Sequence, residues 1–327
     1  MNHTKFSLDD LKHIAIFFLL FITILSFLNI VYVKFILVKR ADYRKQVAYE
    51  QLQNKTLDFA FFGTSHTNSG ANPAFIPNSY NYGGGGKGYP SIYDYLSEMI
   101  TNNKSLKIKN LVLEIDLATF SYGATDNIFD YNTKTNYLSE CLSFQIFAKA
   151  THLDYFRRLI KRCFPLIGHG EDFSHLTSNP TSQIFVNGFQ PYVGNLALEN
   201  ATRDGLAHYK GVFEGKNIIS DAHFDYFIKI LRLAKDNNIK VILIRFPMPK
   251  EYDEAHKQFN FSEDYYFDSI FKKVGLILGD NYIVLDYYNL FFNETDYFGD
   301  ITHLNNRGGE KLSKKIYQDL RILNLTA

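Results

Sequence analysis

Tryptophan is absent from the 327 residues, cysteine occurs twice, and 35 basic against 34 acidic side chains leave a net charge of +1. Each shortage excludes something. Two cysteines, Cys141 and Cys163, build neither a disulfide framework nor a cysteine-based metal cluster. Outside the cytoplasm they could pair; two buried thiols packed as small hydrophobes are an equal alternative. A balanced charge supplies no basic field, so nucleic acid is not an expected partner. Without Trp, the 16% aromatic content is almost all Tyr and Phe. That fits ordinary packing better than a sugar-binding groove. The 46% hydrophobic and 21% charged content is that of a globular chain, not a disordered one.

Charge is also missing locally. From Ile14 to Val33 the chain reads IAIFFLLFITILSFLNIVYV, with only Thr23, Ser26 and Asn29 polar. About 20 apolar residues in a helix cross a bilayer core of roughly 30 Å. No small-residue cleavage site follows; Lys34, Lys39 and Arg40 do. The reading is a retained single-pass anchor over 14–38, after a short tail of residues 1–13. Sidedness is contested: Lys34, Lys39, Arg40, Arg44 and Lys45 follow the span, against Lys5 and Lys12 before it. The positive-inside rule alone would keep the C-terminal part in the cytoplasm.

Residues 39–55 are polar with alternating charge and read as a stalk. Beyond them, short apolar runs alternate with helical spacing. Strands are expected at 57–62, 79–82, 111–115, 241–244 and 282–285, and helices at 91–100, 224–237, 262–275 and 306–320. Alternation of this kind predicts an α/β fold with a parallel sheet covered on both faces. Residues 121–220 break the rhythm and read as an insertion within a domain spanning 56–327.

Three motifs fall at the ends of these strands. Phe62-Gly63-Thr64-Ser65-His66 follows the first strand, where a Gly turn would aim a Ser into the ligand crevice. A helix starting there would also point N–H groups at a developing oxyanion. Asp300-Ile301-Thr302-His303 precedes the last helix. Ser is a poor nucleophile without a base, and the base needs an orienting carboxylate; Asp and His three apart supply both from one loop. Asn81 to Gly88 is Gly-rich and follows the second strand. It is no phosphate loop, because Gly88 stands where that motif needs Ser or Thr. Taken singly, Ser65 is as well explained as a turn residue, His303 as a surface histidine and the Gly loop as flexible surface. Their joint order and placement favours a Ser65–His303–Asp300 triad. His152, His169, His175, His208, His223 and His256 show no metal-ligand spacing, and neither a metal nor an organic cofactor is expected.

With these residues the chain resembles the SGNH, or GDSL-like, hydrolases over roughly 57–327. Gly63-Thr64-Ser65 matches the family's first block and Asp300-x-x-His303 its last. More narrowly it resembles the membrane-anchored branch that includes the D-alanyl-lipoteichoic acid biosynthesis protein and the alginate-type O-acetylation proteins. The resemblance implies a three-layer, flavodoxin-like parallel sheet. It implies acyl transfer or ester hydrolysis on a cell-envelope glycopolymer, with an acyl donor and a multi-span O-acyltransferase as partners. It also places the domain outside the cytoplasm, against the positive-inside count. Alignment makes Gly86, with Gly85 next, the oxyanion glycine beside the Ser65 N–H. The family's third block usually carries an Asn; here the strand ends Glu114-Ile115-Asp116 without one. Asn68 is a candidate substitute, and Asp116 reads first as a turn cap. His66 and Arg245 are candidate substrate contacts, Arg245 for an anionic group. A scaffold keeping the fold without catalysis is the alternative.

Overall fold

The computed structural model describes residues 8–35, 55–102, 106–121, 186–213, 218–259 and 263–326. The chain divides into two compact units, one of Met1–Gln46 with Asn132–Ser182 and one of Val47–Tyr131 with Gln183–Ala327. Cys141, Cys163 and most of the expected stalk lie outside the described residues.

In the first unit, helix α1 runs Leu8–Phe35. It starts six residues before the apolar run, where Asp9 and Asp10 in the first turn suit the positive end of the helix dipole. Its Asp9–Tyr32 stretch has 24 residues at a mean hydropathy of 2.8. That is long and apolar enough to span a bilayer, a property shared by retained anchors and signal sequences.

The second unit is built on five strands: β1 (Thr56–Phe62), β2 (Ser79–Asn81), β3 (Lys107–Glu114), β4 (Lys240–Arg245) and β5 (Tyr282–Asp286). All neighbours are parallel, in the order β2-β1-β3-β4-β5. Alternate residues feed two separate cores. Ala60, Phe62, Leu111, Leu113, Val241 and Leu243 face one side; Phe59, Phe61, Val112, Ile242 and Ile244 face the other. Burial on both faces explains why these strands read as continuous apolar runs.

The helices are α2 (Ser65–Gly70), α3 (Tyr89–Asn102), α4 (Leu117–Phe120), α5 (Leu198–Phe213), α6 (Asp221–Asp236), α7 (Lys250–His256), α8 (Glu263–Leu278) and α9 (Asn306–Ile322). Helices α3, α6 and α8 cover the first core; α9 covers the second through Leu312, Ile316 and Leu320. Of the segment read as an insertion, 121, 186–213 and 218–220 are described, and they pack into this unit. Helix α5 buries Ala201, Gly205, Tyr209 and Phe213, one residue every four. Two of the four are small, so the face carries no apolar period that sequence alone would reveal.

The two loops bearing Ser65 and His303 are brought together by packing between α9 and α2. Ser313 Oγ donates to Gly70 O (3.2 Å) and accepts from Asn72 N (2.8 Å). Gly309 faces the Ser69 carbonyl so closely that an added Cβ would sit 2.6 Å from its oxygen. Asn305 caps α9 by accepting from Gly308 N, and its amide donates to Asp296 O (2.8 Å) and Phe298 O (3.2 Å), which fixes the loop entering the helix.

Candidate active site

β1 ends at Phe62, and Ser65 is the first residue of α2, so its N–H is among those a helix leaves without an intrahelical acceptor. Its Oγ lies 2.7 Å from His303 Nε2. On the far side of that ring, Nδ1 lies 2.8 Å from Asp300 Oδ2 and 2.9 Å from Oδ1. With Nδ1–H donating to Asp300, Nε2 is the acceptor for the Ser65 hydroxyl proton. Asp300 also accepts from the backbone N–H groups of Thr302 and His303, each at 2.8 Å. Burial opposes ionisation of Asp300, but the hydrogen bond and charge of His303, the Thr302 N–H and the Tyr192 hydroxyl overcome it. Its carboxyl is therefore held well below the usual carboxylate range.

Tyr192 gave no signal in the sequence. Its ring stacks on His303 at 4.8 Å between centroids and 7° between planes, and its hydroxyl is near enough to Asp300 for the carboxylate to raise its pKa. Its backbone bridges to Asn305. The segment outside the strand rhythm thus supplies a wall of the His303–Asp300 pair.

Glu114 was also missed. It ends β3, is fully buried, and accepts four hydrogen bonds from the turn that carries Ser65. Thr64 N (2.8 Å), Thr67 N (3.1 Å) and Thr67 Oγ1 (2.6 Å) donate to Oε2, and Thr64 Oγ1 (2.6 Å) donates to Oε1. The signal was present: a carboxylate inside an otherwise apolar strand must find donors. Gly63 is the corollary, because a Cβ there would overlap the Glu114 carboxylate and the Thr67 hydroxyl.

His66 is buried beside this clamp. Its Nδ1 lies 3.1 Å from Asp116 Oδ2 and 3.4 Å from Glu114 Oε1. Burial disfavours its cation, but hydrogen bonds to Asp116 and Glu114, and their charges, raise its pKa to about 10. Asp116 answers: burial opposes its charge, His66 more than compensates, and its pKa falls to about 2. Asp116 also caps α4 by accepting from Thr119 N at 3.1 Å, so the cap expected of it and a place at the site coexist. His66, Glu114 and Asp116 place donor atoms within 4.8 Å of one another, a spacing compatible with a metal ion. They satisfy each other instead: the Glu114 oxygens are occupied by the Ser65 turn, and the imidazolium neutralises charge that an ion would have to neutralise.

A pH dependence follows from this pair. The folded pKa of His66 is raised, so its stabilising contribution is complete below the ordinary value of 6.5 and is lost as pH climbs toward about 10. Chemical unfolding of the wild type and His66→Gln should show a stability gap at about pH 6 that narrows by about pH 10. A constant gap would remove the ion pair from the account.

The remaining expected contacts fall out differently. Gly85 and Gly86 occupy the exposed tip of the Gly loop, Gly86 with a positive φ of 68°. Gly83 and Gly84 lie deeper; the first donates to Asn81 Oδ1 (2.8 Å), the second to Gly63 O (3.2 Å). Asn81 in turn donates to Thr67 O and Ala71 O, both at 2.6 Å, and locks α2 to the end of β2. Asn68 lies in α2, half-buried, its carbonyl accepting from Gln190 N. Arg245 does not present a free cation. It bridges Asp286 (2.9 Å) and Glu263 (3.0 Å) between the rings of Phe267 and Tyr288, so its charge is committed to β5 and α8, and an anionic ligand would have to displace two carboxylates. His208 lies within electrostatic reach of the site; burial, then the nearby His66, lower its pKa to about 4. His223 is a satisfied core histidine, its Nδ1 3.0 Å from Thr119 O.

No protein-family model matches the chain, and no curated protein matches it. Among solved structures it is similar to a candidate acylhydrolase from Bacteroides fragilis NCTC 9343, at 13% identity and a TM-score of 0.39, over 86% of this chain and 97% of that one. It is similar also to a candidate platelet activating factor from Streptococcus pneumonia, at 10% identity and a TM-score of 0.39, over 90% of this chain and 99% of that one. Likeness at this level carries no argument about activity.

Proposed function

We propose that the protein is a membrane-anchored serine esterase or O-acyltransferase of the SGNH type, with Ser65 as nucleophile, His303 as base and Asp300 as its orienting carboxylate. The observation that carries this reading is the unbroken hydrogen-bonded line from Ser65 Oγ through His303 to Asp300. The sheet order β2-β1-β3-β4-β5 supports a three-layer, flavodoxin-like assignment, with the site in the crevice beyond the carboxyl ends of the strands. By the resemblance, the acceptor is a cell-envelope polysaccharide or glycopolymer outside the membrane, beside a multi-span O-acyltransferase.

In the first step Ser65 Oγ attacks an ester or thioester carbonyl while its proton passes to His303 Nε2. The carbonyl π pair moves onto oxygen, where the Ser65 N–H and the Gly85–Gly86 tip donate hydrogen bonds. Collapse expels the leaving group with the proton from His303. Water or a sugar hydroxyl then takes the acyl group by the same route in reverse. The test is covalent labelling of the full-length protein by a fluorophosphonate, which the reading requires to depend on Ser65. A folded protein that resists the probe and works equally well without the Ser65 hydroxyl is a scaffold of an acyltransferase complex instead.

In this reading Tyr192 is a positioning residue. Tyr192→Phe keeps the stack and removes the hydroxyl that acts on Asp300; Tyr192→Ala loses both. A ring contact is worth about 1 kcal/mol, and a polar contact with a charged group no more than the roughly 1.5–3 kcal/mol of a full hydrogen bond. Only part of either is felt in the barrier, so kcat/KM should fall about 3-fold for Phe and more than 10-fold for Ala. KM should stay nearly constant, because the residue orients the base and not the substrate. Unchanged kcat in both variants would remove Tyr192 from the machinery.

A further inference from the structure

The His66 ring is anchored from one side. Nδ1 is held by Asp116 and Glu114, two carboxylates at the end of β3. An imidazolium carries a second N–H, on Nε2, which points away from those carboxylates and has no hydrogen-bond partner among the described residues. The residue is only 8% exposed, and its ring centroid is 5.3 Å from that of His303. A cationic donor is thus pinned, with one accessible edge, beside the ring of His303. Nε2 is not among the fully enclosed side-chain atoms, so a ligand oxygen can reach its N–H. Asp116 and Glu114 cannot donate to an oxyanion themselves, but they hold a neighbour that can.

We infer that His66 is a further catalytic residue, its Nε2–H donating to the oxyanion formed when Ser65 attacks, with Asp116 and Glu114 as its holders. This rests on the proposed Ser65 reading. His66 transfers no proton: Oγ bonds the carbonyl carbon, the π pair becomes the oxyanion lone pair, and the hydroxyl proton goes to His303. Ionisation of His66 up to about pH 10 keeps its charge in place throughout the physiological range. A fixed cation at that point stabilises developing negative charge more than a neutral amide does.

The experiment uses full-length protein in detergent, with p-nitrophenyl acetate as substrate and an alkyl fluorophosphonate as label. The variants are His66→Phe and His66→Gln, against wild type and Ser65→Ala. The label end-point counts folded sites, so loss of fold is separated from loss of rate. Loss of one oxyanion donor lowers rate by about 10²–10³-fold. The inference requires that fall in kcat and in the labelling rate constant of His66→Phe, with KM within about 3-fold. His66→Phe labelling at the wild-type rate overturns it. So does a loss confined to KM and to carboxylate-bearing esters, which would make His66 a substrate-anion contact. If the wild type neither turns over the ester nor takes the label, the Ser65 reading fails and this one with it.

Discussion

Ser65→Ala should abolish fluorophosphonate labelling and lower ester turnover by about 10⁵-fold or more, the scale seen when a nucleophile is removed from a triad acting as a unit. The substitution is mild for the fold. Ser65 lies at the first position of α2; the capping role belongs to Thr64, whose side chain accepts from His66 N. Among the described residues the Ser65 hydroxyl bonds His303 Nε2 alone, so Ala removes one hydrogen bond from a half-buried site. Stability should change by less than about 1 kcal/mol, and thermal melts of the two proteins should nearly coincide. Asp300→Asn should follow with about 10⁴-fold, since an amide no longer enforces the Nδ1–H tautomer of His303. The decisive outcome is joint: a melt like wild type with no labelling supports the nucleophile. Persistent labelling in Ser65→Ala would place the reactive group elsewhere and end the triad assignment.

Much of the site could be read from the sequence because its parts are punctuated. Ser65 and His303 follow a Gly turn and an Asp-x-x-His loop at strand and helix boundaries, where residue type and position speak together. Strands β1, β3 and β4 were legible because burial on both faces leaves unbroken apolar runs. What stayed hidden depends on partners far away in sequence. Arg245 at a strand end suggested an anion site; nothing local revealed that Glu263 and Asp286 already claim it. Tyr192 lies among aromatics without period, and its meaning comes only from stacking on a ring 111 residues later. His66 reads in the sequence as a candidate substrate contact; nothing local reveals that Asp116 and Glu114 converge on it. Glu114 is the instructive miss, since a charge within LVLEI already demanded an explanation.

That explanation makes a second strong expectation. Glu114→Ala should destabilise the protein by about 3–5 kcal/mol, a large share of the 5–15 kcal/mol that typically holds a domain together. The loss is not that of one side chain. Two backbone N–H groups and two hydroxyls of the Thr64–Thr67 turn lose their common acceptor, and His66 loses one of its two counter-charges. Glu114→Gln separates these contributions. An amide oxygen at the Oε2 position still accepts from Thr64 N and Thr67 N, and the Thr64 hydroxyl can turn to accept from the new NH2. Only the His66 contact becomes repulsive, so Gln should cost about 1–2 kcal/mol. Chemical denaturation of the three proteins should rank them wild type, Gln, Ala. Labelling kinetics should separate Gln from wild type further than its stability does, because a clamp matters most where Ser65 must hold its angle to within tenths of an ångström. If Ala falls within about 1 kcal/mol of wild type, the buried carboxylate is not what shapes the Ser65 turn, and the rigidity of that turn must come from Asn81 and the packing of α9 on α2 alone.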